Sequence, residues 1–389
     1  MVPNEWEHMR LNDLCLAVTS GSRDWAKYYS DEGSKFIRMT NLQRENIYLN
    51  LSDLKYVDVQ SKSSDGKRTS LRAGDILMSI TAELGKIGWV HDDLGEAFIN
   101  QHTALIRLDD KKSNSKYIAY LLSSKDMNHR INRLNDSGAK AGLNLPAIRS
   151  IPLNIPPLPQ QHKIANILST WDKAISTTEH LIKNSKQQKK ALMQQLLTGK
   201  KRLLDDSGKK FEKVWKKVEL GHLLDYKQPT PYLVASTNYS NEYKTPVLTA
   251  GKTFVLGYTD EDLGIFCENL PVIIFDDFTT ACKFVDFPFK AKSSAMKILV
   301  AKEGVSIKYI FEAMQMLNHP IGGHQRHWIS IFSNLVIGLP CSKEQQKIAA
   351  VLINADKEIK LLEQQLADLK QEKKALMQQL LTGKRRISI

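Results

Sequence analysis

The chain has 389 residues, and its composition of 42% hydrophobic and 25% charged residues is typical of a folded protein with more than one domain. Its 55 basic and 42 acidic residues leave a net charge of +13, which favours a polyanionic partner such as nucleic acid over a merely basic protein without one. The sequence has no membrane-length apolar run, no signal-peptide pattern and four scattered cysteines, so it predicts a cytoplasmic protein with reduced thiols.

Residues 1–156 are predicted to form a first globular domain of mixed α/β class. Polar loops join its elements, and Arg or Lys suits guanine while Asn or Gln suits adenine in the major groove, so these loops are candidate DNA contacts. The alternative is that each is only a solvated loop. The predicted strands are 36–39, 75–80, 86–90 and 103–108, and the predicted helix is 116–123. The candidate DNA-binding residues are Ser20, Ser22, Arg23, Arg38, Asn41, Asn100, Gln101, His102, Lys140 and Asn144.

A long helix is predicted for residues 157–200. The positions from Ile164 to Leu196 at alternating spacings of four and three residues are mostly apolar, with Thr178, Ser185 and Lys189 as exceptions, which is the pattern of a coiled-coil seam. Prolines precede the helix, and Gly199 follows the last apolar position, where a helix C-cap favours glycine.

The polar and charged stretch 201–214 is predicted to be a linker to a second mixed α/β domain at 215–340. This domain also has donor-rich loops between its elements. Its predicted strands are 246–249, 271–275, 282–286 and 295–300, and its predicted helix is 307–317. Its candidate DNA-binding residues are Lys227, Gln228, Thr279, Thr280, His324, Gln325 and Arg326.

A second long helix, predicted for residues 341–385, repeats the first, and Gly383 stands at its predicted C-cap as Gly199 does in the first. Residues 340–387 align with 156–203 without a gap, and 25 of 48 positions are identical. Two such helices in one chain are predicted to form an antiparallel intramolecular coiled coil between the two globular domains, although a generic dimerisation element would also explain the heptads. The apolar positions predicted to pair the helices or bind partner chains are Ile164, Leu168, Trp171, Ile175, Leu192, Leu196, Ile348, Leu352, Ile359, Leu362, Leu366 and Leu376.

The repeat extends weakly into the globular domains and gives the chain a pseudo-two-fold organisation. Trp6 and Trp215 begin similar segments, and residues 138–142 align with 322–326 at the same spacing of 184 as the helices. Between these anchors the two domains have diverged. Glycines and donors at 138–144 and 322–327 predict that both loops face DNA, with a repeated structural turn as the alternative.

No complete catalytic or metal-binding set is evident in the sequence. Gly251-Lys252-Thr253 imitates the end of a phosphate loop, but Pro246 stands where that motif needs its first glycine. Asp276-Asp277-Phe278 only loosely resembles the tetrapeptide of amino-methyltransferases, and His324 and His327 lack further ligands nearby. The sequence therefore predicts a non-catalytic chain with no metal and no cofactor of its own.

The chain resembles the specificity subunits of type I restriction–modification enzymes along its whole length. The supporting motifs are Gln-x-Lys-Ile-Ala at 161–165 and 345–349, KKALMQQLLTGK at 189–200 and 373–384, LRAGDILMSI at 71–80, GKIGWV at 85–90 and INQHTALIRL at 99–108. Gln160-Gln161 departs from the Glu-Gln that family members commonly carry, whereas Glu344-Gln345 matches it.

The resemblance implies two target-recognition domains, each reading half of a bipartite site in double-stranded DNA. It further implies two modification subunits, which carry S-adenosylmethionine and methylate adenine, and restriction subunits that translocate and cleave. The alternatives are the specificity chain of a related bifunctional restriction enzyme, or a two-headed protein scaffold that does not bind DNA. The scaffold leaves the net charge of +13 unexplained.

Overall fold

A computed structural model describes residues 3, 5–21, 25–59, 63–135, 142–249, 251, 253–317 and 327–387. The chain forms two compact units. Unit 1 comprises Met1–Glu179 and Gln364–Ile389, and unit 2 comprises His180–Glu363. Each unit therefore contains one globular part and a segment of both long helices. Unit 1 is built from two separate stretches of the chain, whereas the domains predicted from the sequence were consecutive segments. No helix in the described part of the chain is long and apolar enough to span a bilayer.

The globular part of unit 1 is built on an antiparallel sheet in the order β2-β9-β6-β7, with a second sheet β3-β5-β4-β8 and a separate pair β1-β10. The strands are β1 (Glu7–Arg10), β2 (Cys15–Ser20), β3 (Tyr29–Ser30), β4 (Ser34–Ile37), β5 (Lys55–Val57), β6 (Ile76–Ser79), β7 (Ile87–Trp89), β8 (Ala97–Ile99), β9 (Thr103–Leu108) and β10 (Pro152–Ile155). The helices are α1 (Ser64–Thr69), α2 (Ser115–Ser123), α3 (Lys125–Arg133), α4 (Leu145–Arg149) and α5 (Leu158–Leu196), which begins in this unit.

The apolar strand β6 is buried on both faces. Ile76 and Met78 pack into the core that includes Tyr117 of α2, whereas Leu77 packs with Ile37 of β4 in a second core. Because side chains alternate between the faces of a strand, a continuous apolar run is what a strand between two layers requires.

Unit 2 repeats this plan with a sheet β12-β18-β15-β16, a smaller sheet β14-β13-β17 and a pair β11-β19. The strands are β11 (Lys216–Glu219), β12 (Leu224–Lys227), β13 (Thr245–Leu248), β14 (Val255–Thr259), β15 (Val272–Asp276), β16 (Cys282–Val285), β17 (Lys290–Ala291), β18 (Met296–Ala301) and β19 (Val336–Leu339). The helices are α6 (Leu220–Leu223), α7 (Ile307–Gln315), α8 (His327–Ser330) and α9 (Ser342–Leu380), which begins in this unit.

The mixed α/β class is confirmed, and each strand or helix predicted in the globular domains coincides with an observed element to within a few residues. The predicted linker holds an ordered turn, in which Leu204 bridges to Lys210. The pairs β1-β10 and β11-β19 were not predicted, because each strand has only four residues, β1 and β11 are mostly polar, and each pairs with a strand far away in the sequence.

The two long helices run antiparallel where they meet within each unit, because residue numbers rise along α5 as those of its partners fall along α9. All predicted seam positions from 164 to 196 and from 348 to 380 are buried or half-buried. Gly199 and Gly383 both have φ of +71°, which confirms the predicted glycine caps. The ion pairs are Asp172–Lys373 and Glu179–Lys370 in unit 1, and Lys186–Glu363 and Lys189–Asp356 in unit 2.

Candidate nucleic-acid interface

In unit 1, four predicted DNA-binding residues lie at one end of the central sheet. Strand β2 ends at Ser20, paired with Ala104 near the start of the antiparallel strand β9, and residues 100–102 lead into that strand. Gly21 packs on this loop so closely that an added Cβ would lie 2.2 Å from the carbonyl carbon of Asn100. Only glycine permits this approach, so Gly21 at the end of β2 and the loop before β9 form one surface.

A chain of hydrogen bonds orders this surface from below. The Thr81 hydroxyl donates to Sδ of Met39, 3.8 Å away, and lies 2.9 Å from Nδ1 of His102. Because the hydroxyl proton is used, Nδ1 of His102 donates to Thr81 and Nε2 accepts from the amide of Gln101 at 3.0 Å. The oxygen of the Gln101 side-chain amide has no hydrogen-bond partner among the described residues and is available to a ligand.

The side chains of Arg38 and Asn41 are instead engaged in hydrogen bonds within their own loop. The Asn41 side chain is 1% exposed, accepts from the backbone N–H of Arg38 at 2.9 Å and donates to the carbonyl of Asn50 at 2.8 Å. Arg38 donates to the Asp53 carboxylate at 2.8 Å. The prediction that Asn41 contacts DNA directly is therefore wrong, because its amide is buried and engaged in holding the loop together.

Of the remaining candidates in this domain, Asn144 accepts from the backbone N–H of Ala147 at 2.8 Å and caps α4. Its side chain thus shapes the start of this helix. Ser22, Arg23 and Lys140 lie outside the described residues.

The corresponding end of the unit 2 sheet carries Lys227, Gln228 and the turn between β15 and β16. Asp276 Oδ1 accepts from the backbone N–H groups of Phe278 at 2.8 Å and Thr279 at 3.1 Å. Thr280 completes the turn with φ of +58°. This rigid turn leaves the ring of Phe278 46% exposed.

Two residues at this end of the sheet were not predicted from the sequence, the exposed Phe278 and the buried Lys297. Lys297 is 2% exposed, and its Nζ donates to Oε1 of Gln228 at 3.0 Å. A lysine within the apolar run MKILVA of β18 was the signal that could have identified it, because a buried lysine requires a partner.

In both units, a backbone hydrogen bond attaches the chain to the end of the central sheet where a short helix begins. The backbone N–H of Leu143 donates to the carbonyl of Ile80 at 3.0 Å, and that of His327 donates to the carbonyl of Asp277 at 3.1 Å. Leu143 and His327 are 184 residues apart, the spacing of the repeat. The candidates His324, Gln325 and Arg326 lie outside the described residues, as do 138–141, so of the two predicted loops the structure describes only 142–144 and His327.

Within the described ranges, no three His, Cys, Asp or Glu side chains are grouped so that they could hold a metal ion. These surfaces offer hydrogen-bond donors and acceptors on loops at the ends of the sheets and, in unit 2, the exposed aromatic residues Tyr226 and Phe278.

Residues 3–186 and 212–371 match the family described as type I restriction modification DNA specificity domain. The chain belongs to this family. It is 48% identical over 137 residues to the EcoR124I/EcoR124II specificity subunit of Escherichia coli, a match that covers 34% of each chain, so it spans only about a third of that relative. It is 26% identical to the putative MjaX specificity subunit of Methanocaldococcus jannaschii, over 99% of this chain and 95% of the other.

The fold of this specificity chain also resembles that of a solved specificity subunit. The crystal structure of the type I S subunit from M. genitalium aligns with a TM-score of 0.66 at 14% identity, over 98% of this chain and 97% of the other. The resemblance inferred from the sequence motifs is thus confirmed for both the family and the fold.

In each unit of the specificity chain, a glutamine at the start of a long helix makes the same two hydrogen bonds. Gln161 Oε1 accepts from the N–H of Asn114 at 2.9 Å and its Nε2 donates to the carbonyl of Pro156 at 2.9 Å. Gln345 makes the matching bonds, to the N–H of Ser306 and the carbonyl of Pro340, both at 2.9 Å. Each glutamine thereby ties the start of a long helix to the start of a domain helix.

An Asp–Lys pair from the long helices supports each domain helix, with different neighbours in the two units. In unit 1, Asp172 pairs with Lys373 and accepts from the Tyr120 hydroxyl at 2.5 Å. Burial, followed by the Asp172 charge, raises the pKa of Tyr120. In unit 1, Tyr120 of α2 therefore stays protonated and donates to Asp172 of α5.

In unit 2, Asp356 pairs with Lys189 at 2.6 Å and with Lys308 at 2.8 Å, and the buried Glu312 also contacts Lys308 at 2.7 Å. The repeated Asp–Lys pair thus supports domain helices that contribute different side chains, a tyrosine in unit 1 and a Lys–Glu pair in unit 2.

The seam residues predicted to bind partner chains are turned toward the interior of this chain. Ile164 and Leu168 pack in the core of unit 1, and Leu196, Ile348 and Leu352 pack in that of unit 2. The remaining predicted seam residues are buried or half-buried as well. On the same helices, Leu361 is 71% exposed and Leu181 is 47% exposed, and neither was predicted.

Proposed function

We propose that this chain reads a bipartite site in double-stranded DNA, with one half-site read by each unit, and that it performs no catalysis itself. The observation that carries the proposal is the repeated backbone contact of Leu143 and His327, which attaches the chain to the same sheet end in both units. The frames are equivalent, but the side chains at the two ends differ. Two domains that recognise different half-sites need an equivalent backbone arrangement that presents different side chains to the DNA.

The charge of the chain supports a duplex partner. A net charge of +13 favours phosphate binding through the release of condensed counterions. Phosphate contacts hold a protein on any duplex, whereas side chains such as Gln101 and Gln228 can discriminate bases. Both kinds of contact are therefore available to this chain.

We further propose that the chain acts in the cytoplasm with two modification subunits and with restriction subunits. In this assembly S-adenosylmethionine is bound by the modification subunits, which methylate adenine. Membership of the type I specificity family supports this assignment, and the sequence offers no cofactor loop of its own.

The proposal is tested by mapping methylated adenines in cells that carry the system, with and without this chain. We expect one bipartite motif that disappears when the chain is removed. The purified chain with its modification subunits should protect that motif in competition with random duplex, and the chain alone should transfer no methyl group from S-adenosylmethionine. A methylation pattern that is unchanged without the chain would refute the proposal, and methyl transfer by the pure chain would refute its non-catalytic part.

A further inference from the structure

A buried lysine lies directly beneath an exposed glutamine at the proposed DNA-binding end of unit 2. Nζ of Lys297 lies 3.0 Å from Oε1 of Gln228, 3.8 Å from Oδ2 of Asp277 and 5.5 Å from the centre of the Tyr226 ring. Lys297 is 2% exposed, whereas Gln228 is exposed. The ammonium group is therefore fixed inside the domain, where it contacts two exposed residues, the amide of Gln228 and the ring of Tyr226.

The neighbours of Lys297 keep it in place. Asp277 is 2% exposed, and its Oδ1 accepts from the backbone N–H of Trp328 at 2.8 Å, so the carboxylate cannot swing away. In unit 1 the corresponding position is the uncharged Thr103, because Ala104 pairs with the last residue of β2 as Ile298 pairs with the last residue of β12. The lysine is thus a feature of the second domain and not of the shared frame.

The contact determines which way the Gln228 amide points. A lysine ammonium has three donors and no acceptor, so it can bind only the carbonyl oxygen of the amide. The NH₂ group of Gln228 then has no partner among the described residues. An unrestrained glutamine pairs with adenine by donating to N7 and accepting from N6, but a glutamine whose oxygen is already bound offers mainly donors. Guanine, with acceptors at both O6 and N7, is the base that matches donors alone.

We propose that Lys297 sets the base preference of Gln228, so that the pair selects guanine at one position of the half-site read by unit 2. Gln228 contacts the base, and Lys297 is a positioning residue that acts through it. This inference rests on the proposed function, because it needs the end of the unit 2 sheet to face DNA.

The test uses the full chain in complex with its modification subunits and a pool of duplexes with a randomised central segment. Bound duplexes are selected and sequenced for the parent and for two variants. The parent should prefer guanine about tenfold at one position of one half-site. Gln228→Glu keeps the contact with Lys297 but presents a carboxylate oxygen, so the preference should move to cytosine, whose N4 amino group donates.

Lys297→Met has nearly the same length and removes the ammonium group, which frees the amide oxygen of Gln228. The preference at that position should then move toward adenine. Lys302→Met is the matched control, because Lys302 follows the opposite end of the same strand and contacts the carbonyl of Gly221. This variant should select the parental sequence.

The outcomes separate the inference from the function on which it rests. If Gln228→Glu and Lys297→Met both select the parental sequence at every position, the inference is overturned and the proposed function stands. If Gln228→Glu alone changes the sequence, Gln228 reads a base but Lys297 does not set its preference, and the inference again fails. If the parent selects no sequence at all, the proposed function and the inference fall together.

Discussion

Arg202 binds Glu344 through two parallel hydrogen bonds, from Nε to Oε1 at 2.7 Å and from Nη2 to Oε2 at 2.8 Å. Glu344 is fully buried in the first turn of α9 and also accepts from Nε1 of Trp215 at 3.2 Å. The pair ties the segment that follows α5 to the start of α9 within unit 2. A two-bond contact between a guanidinium and a carboxylate restricts both groups to one geometry.

Replacing Arg202 with methionine should lower the free energy of unfolding by about 3–5 kcal/mol, because it leaves the carboxylate of Glu344 buried without a cation. Denaturant unfolding of the purified chain measures this. Lys347→Met is the control, since Lys347 pairs with the exposed Asp206 and should cost about 1 kcal/mol or less. Equal effects of the two variants would mean that the buried pair contributes no more than a surface one.

The stability of unit 2 should depend on pH through Asp356. Burial opposes ionisation of this carboxyl group, but Lys189 and Lys308 outweigh burial and hold its pKa below the usual 3.8. A carboxylate with a lowered folded-state pKa stabilises the protein above its unfolded-state pKa, and that contribution is lost as the pH falls through the folded-state pKa. The difference in unfolding free energy between the parent and Asp356→Asn should therefore be full at neutral pH and shrink as the pH falls below 3.8.

Unfolding curves across a pH series would measure this difference. Asp368→Asn is a suitable control, because Asp368 accepts from Gln364 at 2.9 Å and has no ammonium partner among the described residues. A difference for Asp356→Asn that stays constant down to the lowest pH would contradict the assignment.

Gly21 should be intolerant of any side chain, because an added Cβ would lie 2.2 Å from the backbone of the loop before β9. We expect Gly21→Ala to displace residues 100–102 and to weaken recognition of the half-site read by unit 1. Gly251→Ala meets nothing nearer than 3.7 Å and should leave recognition unchanged. Selection of bound duplexes would show which half-site loses its sequence preference, and loss in both halves or in neither would argue against the assigned surface.

Much of this architecture follows from the sequence because its signals are local or repeated. The heptad positions between Ile164 and Leu196, the caps at Gly199 and Gly383, and the apolar strand at 75–80 each depend on residues close together in the chain. The gapless repeat at a spacing of 184, identical at 25 of 48 positions, then extended these signals from one half of the chain to the other.

The rest depended on tertiary contacts that no local pattern contains. Asn41 looks like a reader because it is polar and lies in a loop, but the carbonyl of Asn50 and the N–H of Arg38 enclose it. Lys297 looks like part of a strand, and only the approach of Asp277 and Gln228 gives it a function. Polarity predicts which residues can bind DNA, whereas burial decides which of them are free to do so.

The last prediction concerns exchange of the second domain. The segment 211–335 ends just before β19, whose pairing with β11 joins the two ends of this segment. The residues outside this segment that hold the second domain in place include Gln345 and Asp356, which have counterparts in unit 1 at Gln161 and Asp172. Replacing 211–335 with the equivalent segment of a relative should therefore preserve the frame.

The exchanged chain should direct methylation to a site with one new half and one parental half, because the surface of unit 1 is untouched. Sequencing of methylated adenines in cells that express the exchanged chain measures both halves at once. The reciprocal exchange of the first domain is the matched control and should change the other half. If either exchange altered both halves, recognition would not be divided between the units, since each surface would then depend on residues of the other domain.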